Sequence, residues 1–211
     1  MTLYVPPHFR VEESARLVEF MRAHAFATLV SSGDAGLNVS HVPLLVDLEG
    51  DAIRLRGHVA RGNAQWEGLE AAGDVTAIFH GPHAYVSPTW YANHPSVPTW
   101  NYAVVHAHGK ARLTEEAELH QIVTELSTQY EAGNTPPWRL SEQPAAYVSS
   151  MLAMIVGFEI EVARVEGKFK LSQNRPAEVP RVIERLEAAG EPQLAALMRQ
   201  HAPATKGKIP A

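Results

Sequence analysis

Residues 26–60 read FATLVSSGDAGLNVSHVPLLVDLEGDAIRLRGHVA, three apolar and β-branched stretches punctuated by SSGDAG and LEGD. Both punctuating clusters hold the glycine, aspartate or serine that tight turns demand, so the spacing predicts three antiparallel strands near 25–31, 37–46 and 52–59. Upstream, Leu17, Phe20, Met21 and His24 recur at helical spacing within 12–24, which predicts an amphipathic helix. Downstream the reading gives a short helix over 63–71, then strands VTAIFH and AYVS separated by a turn at Gly81 and Pro82. A long strand follows over 99–113. Thr114 is placed to cap a helix in which Leu119, Ile122, Val123, Leu126 and Tyr130 repeat at three and four, and GNTPPW ends it. A short helix over 145–152 leads to a last strand, where Phe158, Ile160 and Val162 alternate with Glu159, Glu161 and Ala163. Two short helices around Gly190 and a mobile tail, APATKGKIPA, complete the chain.

Six or seven strands with short turns and few helices point to a mainly β, α+β fold on a small antiparallel barrel, not a doubly wound sheet. The expected organisation is a barrel domain over 1–175, a helical segment over 176–201 and a flexible tail over 202–211. No GxGxxG or Walker loop is present, which argues against a Rossmann or P-loop site.

Composition narrows the function. The 211 residues contain no cysteine, so disulfides, thiolate metal sites and cysteine nucleophiles are absent. No leader pattern opens the chain and no stretch approaches a membrane span, so a cytoplasmic protein without membrane association is expected. A formal net charge of -5 opposes a generally basic DNA-binding surface and leaves DNA contact to a local patch.

Three segments carry candidate chemistry. In RGHVARGNAQW, residues 56–66, Gly57 and Gly62 allow close backbone approach. Arg61 offers a forked cation, and a helix start near Asn63 adds N–H donors, a combination suited to a phosphate or to a solvated β-to-α turn. In EGKFKLSQNR, residues 166–175, Lys168 and Lys170 share one side of an extended segment, with Phe169 and Leu171 on the other. Between them, residues 81–108 concentrate prolines, histidines and the aromatics Tyr85, Trp90, Tyr91, Trp100 and Tyr102, which suit a planar ligand or a barrel core. His80, His83, His106 and His108 lack the carboxylate or cysteine that usually completes a metal site, so no metal is expected.

Taken together, YVPPHF (4–9), SHVPLLVD (40–47), GHVARGNAQW (57–66), FHGPHAYVSPTWY (79–91), VPTWNYAVVHAHG (97–109) and EGKFKLSQNR resemble the PaiB-type family of FMN-binding negative transcriptional regulators. Gly62 departs from the small residue such as alanine expected there. The resemblance implies an antiparallel split β-barrel of the pyridoxamine-phosphate-oxidase-like class, a homodimer holding FMN in clefts between subunits. It implies that Ser40, His41, Val42 and Pro43, with Gly57, His58, Val59 and Ala60, line the flavin, and that Arg61 and Asn63 meet its phosphate. Lys168, Gln173 and Asn174 would close the site, and Trp100 or Tyr102 would cover the ring. The function implied is repression, with flavin as a redox input. A flavin-dependent oxidoreductase or haem-handling protein is the alternative, and no catalytic residue is assigned.

Overall fold

The computed structural model describes residues 3–33 and 36–201, so the tail expected over 202–211 lies outside the described residues. The elements in chain order are β1 (Arg10–Val11), α1 (Ser14–Ala23), β2 (Phe26–Gly33), β3 (Gly36–Pro43), β4 (Leu45–Glu49), β5 (Ala52–Ala60), β6 (Asp74–Val86) and β7 (Thr99–Leu113). These are followed by α2 (Glu116–Glu131), α3 (Ala145–Leu152), β8 (Ile155–Lys170), α4 (Val179–Ala188) and α5 (Pro192–His201). The eight strands form one antiparallel sheet in the order β3-β2-β6-β7-β8-β5-β4, with β1 on β8. Its ends are β3 and β4, and no ladder joins β3 to β4 or β5 among the described residues, so the barrel is split.

The chain divides into two compact units. One holds 13–79 and 105–165; the other holds described residues 3–12, 80–104 and 166–201. In the first, β5 alternates cleanly: Ile53, Leu55, Gly57 and Val59 are buried while Arg54 and Arg56 face away. α1 buries Leu17, Phe20 and Met21 as its spacing predicts, together with Val18, and Leu119, Leu140, Val148 and Leu152 form a satellite cluster of α2, α3 and the 3₁₀ turn between them. Arg56 ties sheet to helix, with Nε 2.6 Å from Asp47 and Nη2 2.5 Å from Glu125. In the second unit, α4 and α5 bury Val182, Leu186, Leu194 and Met198 around the turn at Gly190, whose φ is +82°.

Several expectations are corrected. The strand expected over 37–46 is two strands, because Pro43 has no amide hydrogen to continue a ladder and Leu44 N–H turns to Ala25 O (2.9 Å). The helix expected over 63–71 is a short 3₁₀ turn over Ala64–Gly68. No turn occurs at Gly81 and Pro82; a single strand runs through both, since proline's fixed φ suits extended backbone. Glu115, not Thr114, caps α2: its carboxylate accepts from the Glu118 amide and Glu118 accepts from its own. Arg112 Nη2, 2.7 Å from Glu118, holds that carboxyl down to about 2. Thr114 instead turns its hydroxyl inward, where a Cβ on Gly157 would lie 2.1 Å from it.

β7 and β8 approach so closely at Gly109 that a Cβ there would lie 2.0 Å from Glu161 O. Backbone cannot yield as a side chain can, so Gly109→Ala should destabilise the fold by about 1–3 kcal/mol, measured by urea denaturation.

Candidate functional site

The segment leaving β5 is fixed on both sides by side chains. Gly57 is closely packed, for a Cβ there would sit 2.7 Å from the tip of the Leu44 side chain and 3.2 Å from Pro43 O. Arg61 is exposed yet held: its amide donates to Met154 O (2.8 Å), Nε to Ala153 O (2.7 Å) and Nη2 to Ile155 O (3.1 Å). Its guanidinium lies 5.8 Å from the Trp66 ring, and Trp66 Nε1 returns a bond to Arg61 O (2.9 Å). With two of five N–H groups committed to carbonyls, the fork is oriented and keeps donors for an anion.

Asn63 uses both ends of its amide. Oδ1 accepts from Gln65 N (3.0 Å) and Nδ2 donates to Ser40 Oγ (2.7 Å) on β3. The free helical N–H donors expected near Asn63 are therefore not provided: the helix is a five-residue 3₁₀ turn and Asn63 caps it. Positive charge at this turn comes from Arg61. His41 is exposed, with Nδ1 3.1 Å from Thr28 Oγ1 and its ring stacked on Phe26 at 6.4 Å. Val42 and Val59 are buried in the core, whereas Pro43 is half-buried and Ala60 exposed. His58 is half-buried opposite Gly157 of β8; its Nδ1 is enclosed and has no hydrogen-bond partner, and desolvation pushes its pKa down.

The other expected residues lie in the second unit. Lys168 is buried, its ammonium 5.2 Å from the Tyr4 ring and 5.4 Å from the Tyr102 ring. The lysine side of this strand is thus enclosed, not a solvated face. Lys170 donates to Trp100 O (2.8 Å) and to Thr99 Oγ1, and burial followed by the neighbouring Lys168 charge lowers its pKa. Trp100 and Tyr102 line, with His80 and His83, an open concavity of about 400 Å³. Trp100 is exposed, and its ring sits 6.3 Å from His83 and 6.1 Å from Tyr85. Gln173 is spent locally, accepting from Leu171 N (2.7 Å) and donating to Phe169 O (2.5 Å); Asn174 is exposed.

Three polar residues escape the sequence reading. Gln65 is buried, donating through Nε2 to Ser31 Oγ (3.0 Å), Asn38 O (3.3 Å) and Leu29 O (3.4 Å). Asn101 is wholly buried and bonds Ser172 Oγ (2.9 Å), which helps hold Ser172 at φ +66°. Glu178 is buried and accepts from Ala92 N (2.9 Å), Asn93 N (3.1 Å) and Asn93 Nδ2 (2.8 Å), which hold its pKa down, the Ala92 bond most of all. A polar residue in an otherwise apolar strand, as at Asn101, was the one signal available; for the others partnership is long-range. Among the described residues, no group of three or more His, Cys, Asp or Glu is placed to hold a metal, and no helix is long and apolar enough to cross a membrane.

Residues 3–164 match a family model described as "Putative FMN-binding domain". The chain is 36% identical over 200 residues to the protease synthase and sporulation protein PAI 2 of Bacillus subtilis, covering 93% of this chain and 96% of that protein. Among solved structures, it resembles an FAD- and haem-binding protein of Mycobacterium smegmatis (TM-score 0.58, 14% identity, 76% and 73% covered). It also resembles a flavocytochrome of Azotobacter vinelandii (TM-score 0.57, 15% identity, 79% and 72% covered). At such identity the likeness to both structures is one of fold.

His58 gives a pH signature. Because its folded pKa lies below the ordinary 6.5, the unfolded chain takes up the proton first on acidification. The contribution of a neutral His58 is complete above about pH 6.5 and is lost as pH falls through the depressed folded value. His24, also depressed by burial, adds in the same direction. His58→Gln should flatten, without abolishing, the fall in urea midpoint between about pH 7 and pH 5.

Proposed function

The chain belongs to the family of FMN-binding domains that its residues 3–164 match, and from that premise we propose that it is a flavin-loaded negative regulator of transcription of the PaiB type. The observation that supports the regulatory reading is 36% identity, over 93% of the chain, to a protein named for protease synthase and sporulation, which this proposal reads as control of gene expression. FMN is the family's cofactor, and the residues fit it. Arg61, aimed by two carbonyls, suits the phosphate; Ser40 and Asn63 are the polar groups beside it; His58 Nδ1 is a buried nitrogen that lacks a partner. When bound, the isoalloxazine supplies one- and two-electron redox chemistry, which makes oxidation state a natural input. Residues 40–43 and 57–60 line the ring and ribityl chain in this proposal. Trp100, Tyr102, Lys168, Gln173 and Asn174 are further flavin contacts in this proposal, in which the protein acts as a cytoplasmic homodimer.

Acidic net charge limits where DNA could be held. On α4 and α5 the exposed cations are Arg181, Arg185 and Arg199, and Arg199 is already 2.5 Å from Glu187. A second reading, a flavin-dependent oxidoreductase or haem-handling protein, is favoured by the open concavity at His80, His83, Trp100 and Tyr102, which could accept a planar redox partner. Steady oxidation of a reduced nicotinamide by the FMN-loaded protein would support it.

The purified protein should retain flavin absorbance through gel filtration and elute as a dimer by light scattering. Arg61→Ala should weaken FMN affinity about ten- to a hundredfold, the worth of one charged hydrogen-bonding group at a phosphate. A salt-sensitive gel shift that differs between oxidised and reduced flavin is expected for direct repression; no shift in either state would sink it.

A further inference from the structure

A split barrel must fix the distance across its seam without a ladder. Here β3 is the last strand of the sheet on one side, and β5 with the turn after it faces β3 across the gap. Asn63 reaches Ser40 Oγ at 2.7 Å. Gln65 goes deeper: at 3% exposure its Nε2 touches acceptors on both β2 (Leu29 O, Ser31 Oγ) and β3 (Asn38 O). Two backbone carbonyls beside Nε2 fix the orientation of the amide, and its Oε1 has no partner. The group therefore works as a donor, anchoring the turn after β5 onto the β2–β3 hairpin. On its other side the turn is clamped by Arg61 to Ala153, Met154 and Ile155.

We propose that Gln65 is the positioning residue of the flavin site, setting the separation between Ser40 on β3 and the Arg61–Asn63 turn. This rests on the reading of that turn as the FMN phosphate site. Gln65 need not touch the cofactor: it holds two sets of contacting groups in register. Without its donors the turn loses its hold on Leu29 O, Ser31 Oγ and Asn38 O, and the separation between turn and hairpin is free to change. A carboxylate at this position cannot donate to those carbonyls and would bury a charge, so Gln65→Glu should be worse than the near-isosteric Gln65→Met.

The test compares wild type, Gln65→Met and Val182→Ala, a core truncation in the other unit that supplies a control for general destabilisation. FMN affinity is followed by quenching of flavin fluorescence, thermal midpoint by circular dichroism, and protection of the β3 amides by hydrogen exchange of the flavin-free proteins. Gln65→Met is expected to weaken FMN binding at least tenfold and to raise exchange within β3, while Val182→Ala lowers the midpoint with FMN affinity within about twofold of wild type. Wild-type FMN affinity in Gln65→Met, or an equal affinity loss in both variants at equal loss of midpoint, overturns the proposal. Should the wild type itself bind no FMN, the reading of the turn fails separately. The seam is then judged by exchange alone, and unchanged β3 protection in Gln65→Met refutes it.

Discussion

An antiparallel sheet that curls without closing leaves two edge strands whose backbone groups still need partners or cover, and the rest of this structure depends on how that need is met. Two carboxamides on one short turn tie the β2–β3 end of the sheet to the turn that follows β5. Asn63 caps the turn and bonds Ser40, while Gln65 enters the seam and donates to β2 and β3. A side-chain donor inside a low-dielectric seam is worth more than the same bond in water, and leaving its acceptors unanswered costs correspondingly more. The turn anchored to β2 and β3 is also the turn that carries Arg61, so the proposed phosphate site depends on the same few residues that hold that end of the sheet.

The second unit uses the same economy of polar contacts. Glu178, at the entry to α4, gathers the amides of Ala92 and Asn93, and Arg175 bonds Ser96 at 2.8 Å while lying 4.7 Å from the Tyr91 ring. Asn101 and Ser172 bind each other where the chain leaves β8. The first two tie a loop rich in proline and aromatic residues to a segment about 80 positions away in sequence, and the third ties that segment to β7.

Much of this was legible in the chain. The hairpins at 26–60, the long strand Thr99–Leu113 and the helix Ala145–Leu152 follow from alternation, helical spacing and turn chemistry, which are local properties. The misread places share a cause: Pro43 and Pro82 look alike as breakers, yet one ends a strand and the other lies within one, because the neighbouring backbone decides whether a missing N–H matters. Thr114 lost its cap to Glu115 because Gly157 gives the threonine hydroxyl room to turn inward.

By itself the sequence determined the fold class, the FMN-binding family and the segments that carry polar chemistry, since these reside in periodicity and in motifs of adjacent residues. Only the tertiary structure decided which polar atoms are used up. Asn63 and Gln173 are spent on their own surroundings, Arg61 is aimed by carbonyls about 90 residues away, Lys168 is enclosed by two rings, and Gln65 bridges a seam no local pattern announces. The reason is physical: a side chain's chemistry is fixed by its type, but whether its donors remain available depends on burial and on partners that distant parts of the chain bring to it.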